Sequence, residues 1–186
     1  NLKAFLVNRV GDFGFVLGIA GVVYFTGSLD YKDAFAAVPA IAQQTFTIIP
    51  GHAWSAMTVI CICLFIGAMG KSAQMPLHVW LPLAHPAAPS HVSALMSGVM
   101  TKVAIYGFIR VVFDLLGPPD WTSGIAVLTL GGVTAVMGIL YALMEKDLKR
   151  LLAYSTIENV GIVFVSLGLA LAFQANHQAV PAALAF

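Results

Sequence analysis

The sequence predicts an all-α integral membrane protein, and its composition and the length of its apolar stretches support this prediction together. Of the 186 residues, 60% are hydrophobic and only 9% are charged, and the mean hydropathy is +0.92. Soluble domains carry about 25% charged residues, so this chain could not form a water-facing surface. The net charge of +1 argues against a nucleic-acid partner, because such partners select strongly basic surfaces.

Five apolar stretches are long enough to cross a bilayer as helices, which takes about 20 residues each. They cover residues 4–26, 55–82, 91–116, 122–144 and 151–173, and residues 178–186 begin a sixth. The polar segment 27–53 is predicted to be an extramembrane loop. Since the chain stops inside an apolar run, we expect residues 1–186 to be a fragment of one transmembrane domain of a longer protein.

The loop EKDLKR, residues 145–150, gives the predicted orientation. It concentrates basic side chains between the fourth and fifth spans. Loops rich in lysine and arginine stay on the cytoplasmic side of a membrane, so we expect this loop to be cytoplasmic.

Two lysines fall deep inside predicted spans. Lys71 lies 11 residues before Pro82, and Lys102 lies 12 residues after Ser90. Twelve helical residues rise about 18 Å, which is near the middle of a hydrocarbon core about 30 Å thick. Charges at that depth are expensive and usually mark ion pathways, so both lysines are predicted to carry protons. The alternative is that they only form buried structural ion pairs.

Pro76 predicts a break in the second span. It has no N–H to bond the carbonyl of Ser72, so the helix is expected to break one turn beyond Lys71. A discontinuous helix beside an ionisable group is a common construction for membrane ion sites. A plain proline kink for packing is the alternative.

Further polar residues could extend a proton path through the protein. His78, His85 and His91 lie beyond the break, and histidine can pass protons near neutral pH. Their spacings of seven and six residues do not match a zinc pattern, so no metal is expected. Each histidine taken alone is more often a loop or cap residue.

Three more positions complete the candidate residues. Ser97 recurs with Ser93 and Thr101 on the helical face that leads to Lys102, either holding water or packing as small polar residues. Glu158 lies about 12 Å inside the fifth span by helical rise, as a pathway carboxylate or a structural hydrogen-bond partner. Arg9 and Asp12, at i and i+3 of the first span, are predicted to pair with each other in a structural role.

Long motifs carry a family resemblance. GKSAQMPLHVWLP (70–82) resembles the broken seventh helix of the proton-translocating, antiporter-like membrane subunits of complex I, membrane-bound hydrogenases and multisubunit sodium/proton antiporters. MEKDLKRLLAYSTIENVG (144–161) is similar to that family's cytoplasmic loop and next helix. The first 15 residues resemble chain L of complex I, whereas residues 83–110 most closely resemble the hydrogenase-4 and formate hydrogenlyase component.

The resemblance implies a part of a fourteen-helix fold with two inverted repeats of five helices. Lys71 matches the lysine of the first half-channel, and Lys102 matches the central linking lysine of the hydrogenase-like members. Lys149 matches the basic residue of the motif D-[IL]-K-R, although its position alone suggests a loop charge. The glutamate that pairs with the first lysine is expected on an earlier helix, outside this chain.

The function expected from this resemblance is that of a proton-translocating subunit in a redox-driven complex, either NADH:quinone oxidoreductase or membrane-bound hydrogenase/formate hydrogenlyase. Such a subunit has no active site of its own and lies in the bacterial inner (cytoplasmic) membrane. It carries no cofactor, because quinone, FMN, iron–sulfur or nickel–iron centres belong to partner subunits. Its partners are the other membrane and peripheral subunits and the lipid bilayer. A sodium/proton antiporter subunit and a purely structural membrane subunit are the alternatives.

Overall fold

A computed structural model describes residues 2–28, 30, 32–33, 36–37, 41, 44–49, 52–116, 121–176 and 178–185. Within these ranges, four helices are long and apolar enough to cross a membrane: Leu2–Thr26, Ser90–Phe113, Trp121–Met144 and Leu148–Ala175. They correspond to the first, third, fourth and fifth predicted spans. The prediction of a mainly helical membrane protein is therefore confirmed.

The elements follow in chain order. The first part of the chain contains α1 (Leu2–Thr26), strands β1 (Thr45–Ile49) and β2 (His52–Ser55), α2 (Ala56–Lys71), a 3₁₀ turn (Leu77–Val79) and α3 (Trp80–Ala87). The third span begins as α4 (Ser90–Leu95), passes through a π-helical stretch (Met96–Met100), continues as α5 (Thr101–Ile109) and ends π-helical (Arg110–Leu116). The last helices are α6 (Trp121–Met144), α7 (Leu148–Ala175) and α8 (Ala179–Ala185).

The second predicted span is two helices rather than one. Helix α2 ends at Lys71 itself, whereas Pro76 predicted a break one turn later. Ala73 takes a left-handed backbone conformation with φ of 57°, which a helix cannot continue through. The chain then re-forms as the 3₁₀ turn and α3, which extends past the predicted end at residue 82.

A short β-hairpin precedes α2 and was not predicted. Strands β1 and β2 pair antiparallel, with Thr45 opposite Ser55. The predicted loop 27–53 therefore ends in regular structure, and much of its middle lies outside the described residues.

Glycines bring α1 and α2 into close contact. Gly11, Gly14 and Gly18 are the buried residues of α1. A Cβ atom added to Gly11 would lie 2.9 Å from the Cα of Gly70, so no larger residue fits there without moving a helix. Small residues at such seams let transmembrane helices approach at backbone distance, which fixes their register.

Aromatic rings join three spans in the core. Phe65 of α2, Phe108 of α5 and Phe164 of α7 are buried, and their ring centroids lie 5.5 to 5.6 Å apart. Rings at this distance in tilted and edge-on arrangements add to the energy of burial. Because α2 belongs to this core, the position of its end, and so of Lys71, is set by helices from both halves of the chain.

Candidate functional site

The centre of the site is an ion pair between α1 and α2. The Nζ atom of Lys71 lies 3.0 Å from Oδ1 of Asp12. Each charged residue directly follows a glycine of the close helix contact, Gly11 on α1 and Gly70 on α2. The backbone approach at these glycines therefore brings the two side chains together.

Asp12 also faces a second cation. The Nη1 atom of Arg9 lies 3.7 Å from Oδ2 of Asp12, and the guanidinium stands 5.0 Å from the ring centroid of Phe5. The predicted pair of Arg9 with Asp12 is present, but the shorter contact of Asp12 is with Lys71. The side chain of Arg9 is 64% exposed, against 38% for Lys71 and 34% for Asp12. The carboxylate of Asp12 thus contacts two cations, the less exposed Lys71 and the more exposed Arg9.

A cavity of about 530 Å³ opens beside this pair. It lies between α1, α2 and the third span, and its residues are Asp12, Phe15, Gly67, Ala68, Lys71, Met100, Val103, Ala104 and Gly107. The two ion-pair side chains are the only polar ones among these residues. Apolar walls keep the local dielectric low, so any movement of Asp12 changes the energy of the lysine charge strongly.

The backbone at the break is held by specific hydrogen bonds. The indole Nε1 of Trp80 donates to the carbonyl of Gly70 at 2.9 Å, and Oγ of Ser72 donates to the carbonyl of Ala68 at 2.7 Å. The N–H of Met75 donates to Oγ1 of Thr134 on α6 at 3.1 Å. An interrupted membrane helix needs such partners, because unpaired backbone groups are costly away from water.

Lys102 does not join this ion pair. It lies one residue into α5, directly after the π-helical stretch, and its side chain is exposed on the surface of the described bundle. Its neighbours Met100 and Val103 line the cavity next to Lys71. Lys102 makes no ion pair with any residue that the structure describes. The two predicted lysines therefore flank one region without touching.

Glu158 and Ser97 lie on facing helices nearer to the 145–150 loop. Glu158 is half-buried on α7, where its backbone lies against Gly138 of α6. Oγ of Ser97 lies 2.9 Å from Oγ1 of Thr156, which links the third span to α7. Thr101 is fully buried and donates its hydroxyl to the carbonyl of Ser97 at 3.0 Å. On the predicted polar face toward Lys102, Ser97 therefore contacts a neighbouring helix, and Thr101 bonds to the backbone of its own helix.

His78 belongs to a stack of rings below the break. Its ring centroid lies 6.4 Å from that of Tyr141, which in turn lies 5.4 Å from that of Tyr154. The rings are close to parallel, with interplanar angles of 22° and 25°. The stack ties the segment after Pro76 to α6 and α7.

His85 and Lys149 meet at the end of α3. His85 is 4% exposed, and its Nδ1 atom is hydrogen-bonded to Oγ of Ser93. The Nζ atom of Lys149, in the first turn of α7, donates to the carbonyl of Ala88 at 2.9 Å. His91, by contrast, is exposed on α4. Lys149 is therefore tied to the segment that carries His85 and is not a free loop charge.

In the described ranges, no three His, Cys, Asp or Glu side chains come close enough together to hold a metal ion. The chemistry that these residues can perform is acid–base chemistry at Lys71, Asp12 and the histidines.

Known proteins resemble this chain, whose arrangement combines a broken helix, an ion pair between spans and long apolar helices. Residues 1–185 match the family described as NADH:quinone oxidoreductase/Mrp antiporter, TM. The chain belongs to this family.

Relatives of two kinds resemble the chain about equally, as the sequence motifs predicted. It is 43% identical to NADH-quinone oxidoreductase subunit L of Neisseria meningitidis over 172 residues, covering 90% of this chain and 25% of that protein. It is 46% identical to hydrogenase-4 component B of Escherichia coli over 155 residues, covering 82% of this chain and 21% of that protein. The chain thus spans about a quarter of the length of these relatives.

Two solved structures share the fold. The Mrp complex from Dietzia sp. DQ12-45-1b superimposes with a TM-score of 0.66 at 23% identity, covering 98% of this chain and 33% of the other. The archaeal membrane-bound sulfane sulfur reductase superimposes with a TM-score of 0.69 at 24% identity, covering 97% and 37%.

The antiporter-like family motif did not reveal every residue of the site. Sequence reasoning missed the pairing of Asp12 with Lys71 and the contacts that Trp80 and Thr134 make to the break. A signal for the first was present: both charges follow glycines, and Gly11 begins a run of glycines at helical spacing on α1. The hydroxyl of Thr134 carries no comparable signal, because it acts on a backbone group 59 residues away.

Proposed function

We propose that this chain is part of a proton-translocating membrane subunit of a redox-driven complex, either NADH:quinone oxidoreductase or membrane-bound hydrogenase/formate hydrogenlyase. The observation that carries the proposal is the 3.0 Å contact between Lys71 and Asp12 at the point where a membrane helix is interrupted. Both side chains line a cavity with otherwise apolar walls. Family membership supports the same function.

The proposed mechanism is an exchange of ion-pair partners. While Asp12 faces Lys71, the carboxylate stabilises the charged ammonium, so the lysine holds a proton. When Asp12 turns to Arg9, which already lies 3.7 Å away, the ammonium loses its counter-ion in a region of low dielectric. Release of the proton then becomes favourable. No metal or cofactor is required for this step.

The other polar residues are proposed to continue the path. Lys102 would receive the proton across the cavity that its neighbours line, and Glu158 and Ser97 would extend the polar axis toward the 145–150 loop. By a second branch toward the same loop, His78 and His85 would connect Lys71 to Lys149. His91, exposed on α4, would lie at the mouth of this path.

The proposed setting follows from the same function. The protein would lie in the bacterial inner membrane with loop 145–150 in the cytoplasm, as one part of a fourteen-helix fold. Membrane and peripheral partner subunits would hold the quinone, flavin, iron–sulfur or nickel–iron centres. Moving one proton against 100 mV requires about 2.3 kcal/mol, which the redox reaction in the partner subunits would supply.

The direct test is Lys71→Ala in the full-length protein within its complex. We expect proton uptake into inverted vesicles, followed with a pH-sensitive dye, to fall strongly while the complex still assembles. Unchanged proton uptake would refute the role of Lys71. A pH change that depends on added sodium would favour sodium/proton exchange instead, and loss of assembly without a separable transport defect would favour a structural subunit.

A further inference from the structure

Gln74 is a fully buried amide inside the helix break. Its side chain has 0% exposure, and neither Nε2 nor Oε1 has a hydrogen-bond partner among the described residues. Its backbone N–H donates to the carbonyl of Met69 at 3.0 Å, so the unpaired polar atoms are those of the side chain. Buried amides almost always have partners, and an amide with both ends unpaired is a strong exception.

Neighbouring groups are already engaged. The hydroxyl of Thr134 accepts from the N–H of Met75 and donates to the carbonyl of Leu130 at 2.7 Å. Trp80 and Ser72 donate to backbone carbonyls of α2. These side chains are thus hydrogen-bonded to backbone groups, and none of them is paired with the amide of Gln74.

Asn8 of α1 has an amide oxygen that is also unpaired among the described residues. The antiparallel contact of Gly11 with Gly70 places Asn8, one turn earlier on α1, level with the residues just after Lys71. Its Nδ2 donates to the carbonyl of Ala4, whereas its buried Oδ1 has no partner in the described part of the chain. Its neighbour Val7 packs against the cluster that contains Ala73.

The missing partner must be small and must both donate and accept. Because Gln74 is covered completely by atoms of this chain, a side chain of another subunit cannot reach it. A cation would pair only with Oε1, and an anion only with Nε2. Water satisfies both ends, and buried water commonly bridges such groups.

We propose that Gln74 holds bound water within the helix break next to Lys71. The evidence for the water site is the complete burial of Gln74 and the two polar atoms of its side chain that have no partner among the described residues. Its use as the first step of the proton path from Lys71 toward His78, whose buried Nδ1 is also unpaired among the described residues, rests on the proposed function.

Radiolytic labelling in ¹⁸O-water tests the site in the full-length protein in its native membranes. A short X-ray pulse turns bound water into hydroxyl radicals, which oxidise the nearest side chains, and methionine is especially sensitive to oxidation. Met75 adjoins Gln74 and is 9% exposed, whereas Met57 is 6% exposed in the apolar core and serves as the matched control. We expect several-fold more ¹⁸O in Met75 than in Met57.

Substitutions separate the two proposals. Gln74→Leu, which keeps the size but removes both polar atoms, should lower labelling of Met75 to the level of Met57, and Gln74→Glu should retain it. Lys71→Ala should leave the labelling in place even though transport is lost. Equal labelling of Met75 and Met57 in the unmodified protein, or undiminished labelling of Met75 in Gln74→Leu, would overturn the water site whatever the fate of proton transport.

Discussion

At the scale of single residues, one carboxylate stands between two cations. Asp12 lies 3.0 Å from the Lys71 ammonium but 3.7 Å from the Arg9 guanidinium, and Arg9 is much the more exposed of the two. Exposed pairs contribute little because water screens them, so the two contacts should differ in their importance.

Substitutions of Asp12 and of Arg9 should therefore slow proton pumping to different extents. We expect Asp12→Asn to lower the rate of proton pumping roughly ten-fold, since a charge-assisted contact is worth about 1.5 kcal/mol at such a half-exposed site. Arg9→Gln removes the second partner of Asp12 in the proposed exchange and should also lower it, but only about two-fold, since an exposed pair contributes about 0.5 kcal/mol. Pumping in inverted vesicles, normalised to electron transfer, measures both, and equal losses would contradict the unequal roles.

The sequence shows which residues are unusual in an apolar span, but it does not show which side chains they contact. Lys71 and Pro76 stand out because a lysine and a proline are rare in an apolar run. The i, i+3 spacing pointed to Arg9 as the partner of Asp12, because spacing within one helix is visible in a sequence. The pairing with Lys71 depends on the register of two helices and became apparent only with the contact of Gly11 and Gly70.

At the scale of elements, that glycine contact positions the site. A methyl group on Gly11 would lie 2.9 Å from the backbone of Gly70, whereas one on Gly98 of the third span would meet no atom within 4 Å. A forced separation of α1 from α2 moves Asp12 away from Lys71, because each charge is adjacent to its glycine.

Gly11→Ala should thus both destabilise the protein and weaken transport. Overpacking at a rigid contact costs about 1–3 kcal/mol, so we expect a lower Tm of the detergent-solubilised protein and slower pumping. Gly98→Ala should leave pumping intact and raise or maintain the Tm, since alanine favours helix over glycine by about 1 kcal/mol. A Gly11→Ala protein with unchanged Tm and pumping would show that the contact does not position the site.

The sequence predicted the helices whose limits depend on hydrophobicity. It did not predict the boundaries that depend on local contacts. Apolar length alone located the four long helices. The break starts at Ser72 rather than at Pro76. Trp80 donates to the carbonyl of Gly70 and Thr134 accepts from the N–H of Met75, so backbone groups freed by the early break have partners. The hairpin at 45–55 was missed, since two short strands between polar residues lack a long alternating pattern.

At the scale of the whole molecule, orientation is the main untested prediction. We expect loop 145–150 to face the cytoplasm and the hairpin before α2 to face the opposite side. In a variant with Cys61 and Cys63 replaced, Lys146→Cys should react with an impermeant maleimide only in inverted vesicles, and Trp54→Cys only in right-side-out vesicles. The reverse pattern would contradict the orientation and would reverse the direction of the proposed path.

The proposed role of Lys71 as a proton carrier, and not merely a fixed charge, is tested most directly by Lys71→Arg. Arginine can keep the ion pair with Asp12, so the fold and assembly should persist, but its guanidinium stays protonated at any physiological pH. The measurement is the number of protons pumped per electron transferred by the full-length protein in its complex. The account predicts that this ratio falls as far as in Lys71→Ala, and a ratio equal to that of the unmodified complex would contradict it.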